Sequence, residues 1–217
     1  MLFAKICVSF TYLAFIVGCI KYKYFSKELK IIFYFVTLGV VTEIYTLVQM
    51  HFWMKNTMPI GHFYFPAAIL ILGLFYLQVL RNFIRPFYIL TILIAFLLYS
   101  IINSLFIQGL FEYASLVGAI GGLIVFLFSV AFFTKIMIEA KITKLLTEPL
   151  IWINSGLLIY YTGNFFFFMM FNLRILASRE VAVIAHYLFS LLNLMFYLII
   201  TISFLMVNKK TVKQKQN

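Results

Sequence analysis

Charge is scarce in this chain: 11% of its 217 residues are charged and 65% are hydrophobic, a balance too apolar for a water-soluble domain of this size. Long polar stretches are missing too, so no soluble kinase, nucleotide-binding cassette or DNA-binding module fits between the apolar runs. Neither common type of glycine-rich phosphate loop is present. Cysteine is limited to Cys7 and Cys19, which share the first apolar run and lie about 18 Å apart at the helical rise. They cannot pair within that helix and carry no information about compartment. Acidic residues number 6 against 17 basic ones, a formal charge of +11. In a soluble protein that excess would suggest nucleic acid, but here the basic residues are distributed between hydrophobic runs and not gathered on one surface, so no nucleic-acid partner is expected.

What the chain does contain is seven apolar runs, at residues 3–20, 31–50, 60–80, 87–107, 114–134, 149–171 and 181–207. Each is long enough to cross a hydrocarbon core of about 30 Å as a helix, and the alternating pattern of a barrel strand is absent. The expected fold is all-α: one polytopic membrane domain of seven transmembrane helices over residues 1–207, followed by a basic tail at 208–217. Pro86 and Pro149 suit first helical turns, whereas Pro66 falls inside the third run and should disturb it. Four consecutive Phe at 165–168 read as a face for lipid and neighbouring helices. The string at 16–19, ending in Gly18 and Cys19, has the form of a lipoprotein cleavage site. Positive charge follows that run, which favours a retained anchor.

Orientation follows from the lysines and arginines. Alternate loops place Lys21, Lys23, Lys27, Lys30, Arg81, Arg85, Lys135, Lys141, Lys144, Lys209, Lys210, Lys213 and Lys215 on one side, and only Lys5, Lys55, Arg174 and Arg179 on the other. The N-terminus is therefore expected outside and the C-terminus inside.

Ionisable groups within a bilayer cost about 2.5–3.5 kcal/mol on insertion scales, so those that persist are the candidates for function. At 1.5 Å per residue, Glu43 lies at a depth of about 18 Å from the inner boundary, Asn103 at about 24 Å, and Asn164 and His186 at about 22 Å. His62 lies near the outer rim with Tyr64 beneath it. These residues, with Tyr160, form a candidate ligand pocket in the outer half, in which Glu43, Asn164 and His186 are expected to share one cavity. Each also has a structural reading. Glu43 and His186 serve equally as interhelical hydrogen-bonding groups, and Asn103 and His62 are near enough to the interface to be solvated. Gly156, Tyr160, Gly163 and Asn164 follow helical spacing and read as a packed seam or a ligand-contacting face. Asn193, on one helix face with His186 and Ser190, belongs with the packing residues.

Tyr22, Lys23 and Glu43, the string 103–112, the string 149–164 with Trp152, Asn154, Gly156, Tyr160 and Asn164, and His186 with Asn193 together resemble an uncharacterised family of small Bacteroidota inner-membrane proteins over nearly the whole chain. The resemblance implies a seven-helix protein encoded beside histidine kinases, and so a sensory or signalling role. It implies no site residues.

Enzyme alternatives fare less well. A seven-helix zinc hydrolase of the ceramidase kind needs three convergent protein ligands, and the chain has only His51, His62 and His186. A retinal-type photoreceptor needs a Schiff-base lysine, and the seventh run has none before Lys209. A transporter should show inverted repeats or broken helices, which are not visible. The expectation is a non-enzymatic sensor or accessory signalling subunit without metal or cofactor. Its partners would be membrane lipid and a histidine kinase or other membrane protein, and it would dock through helix faces, including the Gly156 and Gly163 seam if packing leaves it open. A lipid-modifying hydrolase or a small transporter is the alternative.

Overall fold

The computed structural model describes residues 2–53, 56–139, 145–176 and 179–207. Seven α-helices account for most of them: α1 Leu2–Lys21, α2 Lys27–Val48, α3 Met58–Val79, α4 Pro86–Ile102, α5 Ser115–Glu139, α6 Pro149–Leu176 and α7 Arg179–Leu205. No strand occurs among the described residues. Helices are the natural state for such runs because a single helix satisfies its own main-chain donors and acceptors where water cannot. Five stretches are long and apolar enough to cross a membrane: Lys27–Phe52, Met58–Val79, Pro86–Ile107, Ser115–Glu139 and Val183–Leu205. The molecule is a multi-pass, all-helical membrane protein. Its outer surface agrees with that medium, for Phe63, Phe87, Phe106, Phe111 and Met137 are each more than 70% exposed.

Local chemistry sets the helix ends. Pro86 and Pro149 open α4 and α6, where a missing N–H is harmless, and Ser26 precedes α2 in an extended conformation. Helix α3 continues through Pro66, although the proline has no N–H for the His62 carbonyl. Two helices end in π-helical turns, Gln49–Trp53 after α2 and Asn103–Ile107 after α4, so the apolar run at 87–107 is not one regular helix. Helix α5 runs five residues beyond the apolar run at 114–134, because Lys135 and Glu139 extend it with an i,i+4 ion pair at 3.8 Å and Lys135 Nζ donates to the Val79 carbonyl at the end of α3, 2.7 Å away. The link between α5 and α6 is correspondingly shorter than the 14 residues that separate the apolar runs at 114–134 and 149–171. The tail at 208–217 lies outside the described residues.

Six helices form a ring. Around it run α1, α2, α3, α5, α6 and α7, each packed on the next, and α7 packs back on α1. Helix α4 stands outside, against α3 and more lightly α5. The ring closes partly through Lys21 Nζ, which donates to the Val207 carbonyl at 3.2 Å and so places a cation at the C-terminal end of α7. Inside, one half is filled. Leu72, Tyr76, Ile153, Leu157 and Phe204 are completely buried, and Phe35 of α2 meets Phe196 of α7 edge-on, with centroids 5.9 Å apart. Gly156 and Gly163 lie against α7, where added methyls would meet Ile199 at 3.1 Å and Leu192 at 2.5 Å. This seam is used by intramolecular packing and is not left open for a partner, a correction to the docking expectation.

Candidate functional site

The other half of the ring is hollow. A cavity of about 530 Å³ lies at the end away from Lys21 and Lys135, walled by the late residues of α2, the early residues of α3, and the middle stretches of α6 and α7. Helical spacing explains the walls. Gly39, Thr42, Glu43, Thr46 and Leu47 line it from α2 at i, i+3, i+4, i+7 and i+8, one continuous stripe. His186, Phe189, Asn193 and Tyr197 line it from α7, again on one face. Tyr64 contributes from α3, Tyr160 and Phe167 from α6, Tyr113 from the connection before α5, and Val8 from α1.

Glu43 is the acidic group in this wall. Its Oε1 accepts a hydrogen bond from Thr11 Oγ1 of α1 at 3.2 Å, and its Oε2 is buried without a partner. The threonines on its own helix do not help, since Thr42 and Thr46 turn their hydroxyls back to the carbonyls of Leu38 and Thr42, both at 2.8 Å. The side chains of Tyr64, Tyr160 and Tyr197 line the same cavity. Tyr160 is held by stacking on Phe196, centroids 4.5 Å apart. At the floor, Gly39 makes room for Tyr197, whose hydroxyl lies 2.6 Å from where a β-carbon would be.

Of the residues singled out from the sequence, Glu43, Tyr64, Tyr160 and His186 line this one cavity. His186 is exposed at its rim, with Ser190 Oγ donating to its main-chain carbonyl at 2.9 Å. Asn193, read as a packing residue, also faces the cavity.

Three others lie elsewhere. His62 is buried, its Nδ1 2.7 Å from Ser104 Oγ and its Nε2 3.1 Å from the Glu112 carbonyl. A nitrogen facing a carbonyl must carry the proton, so Nε2 is the donor. His62 thus ties α3 to the π-helical turn after α4 and is not solvated. Asn103, also expected near solvent, is fully buried in that turn and donates to Gln108 Oε1 at 3.2 Å. Gln108 in turn donates to Ser115 Oγ at 2.9 Å and accepts from the Leu116 amide at 3.1 Å. Asn164 is completely buried one turn beyond Tyr160, and neither polar atom of its side chain is hydrogen-bonded. It neighbours the Tyr160 hydroxyl without lining the cavity.

The sequence reading passed over Thr11, Tyr113 and Tyr197, and also a second polar cluster deep in the filled half. There the Tyr76 hydroxyl lies 2.7 Å from Ser129 Oγ and donates to Asn154 Oδ1 at 2.8 Å, while Asn154 Nδ2 donates to the Ser129 carbonyl at 3.1 Å. This network links α3, α5 and α6 and leaves no buried side-chain atom of its members unpaired. A periodic signal for the Glu43 wall was available in Gly39, Thr42 and Thr46. None marked the network, whose residue types are ordinary in membrane helices.

Chemically, the cavity offers a carboxylate with an open acceptor position, phenol rings and hydroxyls, an imidazole at the rim and an amide. Among the described residues no three His, Cys, Asp or Glu side chains come together as a metal site. No family model, curated protein or solved structure matches the chain.

Proposed function

We propose that this is a ligand-binding protein of a bacterial inner membrane, with seven crossings, the N-terminus outside and the C-terminus inside, that acts as a non-enzymatic sensor or accessory signalling subunit. The observation that carries the reading is the half-hollow ring: one end is packed solid and the other holds a cavity of about 530 Å³ containing an unpartnered carboxylate oxygen. Buried polar atoms of native proteins are normally satisfied, so one left open at a cavity wall is a place for something else to bind. The ring also gives the bound state a means of being read, because the cavity walls belong to α2, α3, α6 and α7 together. An occupant that favours one arrangement of these helices shifts its population. The exposed apolar faces of α4 and its neighbours are where another membrane protein, such as a histidine kinase, would detect the shift.

Seven crossings and the orientation are supported by the clustering of basic residues. Lys21, Lys23, Lys27, Lys30, Arg81, Arg85 and Lys135 all belong to the same end of the ring, opposite the cavity, as the positive-inside rule requires of a cytoplasmic face. Reporter fusions after Lys141 should read cytoplasm and a fusion after Lys55 should read periplasm. The reverse result would place the cavity in the inner half. Crosslinking in native membranes tests the signalling role: a protein recovered only as a lone chain, together with purified protein that turns over a lipid, would replace the sensor with the hydrolase.

A further inference from the structure

We propose that the occupant of the cavity carries an ammonium group on an apolar chain, with the ammonium seated between Glu43 and the rings of Tyr64 and Tyr160. This deepens the ligand-binding reading above and rests on it. The argument begins with what Glu43 lacks. A carboxylate only accepts hydrogen bonds. One oxygen is served by Thr11, and the hydroxyls of Thr42 and Thr46, nearest along its own helix, are committed to main-chain carbonyls. Its Oε2 has no donor within hydrogen-bond distance. Among the described residues no lysine or arginine lines the cavity, and its one basic side chain is His186 at the rim.

The walls narrow the choice of donor. An anionic ligand would be repelled by Glu43. A polyol would need a dense set of matching polar groups, whereas Leu47, Met58, Phe167 and Phe189 make much of this lining apolar. A cation is favoured by both wall materials, since aromatic faces carry the negative part of the ring quadrupole and attract ammonium groups within about 6 Å of the centroid. A carboxylate beside such rings completes the recognition with a charge-assisted hydrogen bond. The volume of about 530 Å³ exceeds what an ammonium alone would fill, and the apolar remainder suits a short hydrocarbon or aromatic tail.

The test uses the full chain in lipid nanodiscs with three matched soluble probes, n-hexylammonium, 1-hexanol and hexanoate, with binding read from saturable thermal stabilisation. Hexylammonium should bind about tenfold more tightly than hexanol, as a charge-assisted contact plus a cation–π contact provides, and hexanoate should not bind. Glu43→Gln should abolish the preference for hexylammonium over hexanol while leaving hexanol binding in place. Tyr64→Leu should weaken hexylammonium several-fold and Tyr64→Phe should not, a ring-specific pair that keeps the test decisive even if Glu43→Gln fails to fold. Equal binding of hexylammonium and hexanol by the native chain, or a preference that survives Glu43→Gln, would overturn the ammonium assignment and leave the cavity as a site for neutral ligands. Absence of saturable binding for all three probes would overturn the cavity reading itself.

Discussion

The two halves of the helical ring treat buried polar groups in opposite ways. In the filled half, Tyr76, Ser129 and Asn154 satisfy one another across three helices. In the hollow half, Glu43 keeps one oxygen open at the cavity wall. A satisfied network stabilises a fold, and removing one member exposes the cost of stranding the others. An unpartnered acceptor at a cavity wall is instead open to an occupant, and it is the pairing of Glu43 Oε2 with open volume that sets the hollow half apart.

The largest expected effect breaks the filled half. Asn154→Leu removes the acceptor of the Tyr76 hydroxyl and the side-chain donor to the Ser129 carbonyl, leaving Tyr76 only its contact with Ser129 Oγ, and should cost about 2 kcal/mol in a detergent unfolding titration, the upper end for hydrogen bonds between membrane helices. A loss as small as that of an average surface change would mean that the network is not what joins α3, α5 and α6.

Two glycines sharpen the contrast next. An added methyl at Gly73 would meet three atoms of the buried Leu93 within 2.9 Å, so the side chain must shift within the α3–α4 contact and Gly73→Ala should cost about 1–3 kcal/mol. Gly39→Ala meets the Tyr197 hydroxyl at a similarly short 2.6 Å. That hydroxyl borders open volume, so the cost should stay under about 1 kcal/mol while hexylammonium binding weakens as the ring is pushed into the cavity. Unfolding titrations of the pair, run with and without the probe, check both halves of this statement.

The smallest effect on stability belongs to the most conspicuous residue. Glu43→Gln, which keeps size and an acceptor for Thr11, should change unfolding free energy by no more than about 0.5 kcal/mol. A loss comparable to that of Asn154→Leu would make Glu43 a structural residue and remove the contrast.

Depth along the membrane normal was readable from the sequence, and rotation about it was not. Counting residues from the inner boundary brought Glu43, Asn164 and His186 to one end; Glu43 and His186 line the cavity, while Asn164 is buried beside it without lining it. The same count placed Asn103 with them, yet α4 lies outside the ring, so Asn103 shares their level and serves a different part of the molecule. His62 and Tyr64 illustrate the same limit on a single helix. Two residues apart is a rotation of about 200°, so only Tyr64 faces inward when His62 bonds to Ser104. Hydrophobic runs located the helices, while polar additions such as the Lys135 and Glu139 pair shifted their ends. Ring order depends on which apolar surfaces match, and seven segments of similar composition do not encode that in any pattern visible one helix at a time.

The bond from Lys21 to the Val207 carbonyl joins groups 186 positions apart, and it lies in the contact between α1 and α7 that completes the ring. During synthesis α1 is made long before α7. Without α7 the molecule is an open cleft with Gly156 and Gly163 bare on α6, and the wall that His186, Asn193 and Tyr197 provide is missing. The cavity is thus complete only when α7 has closed the ring on α1.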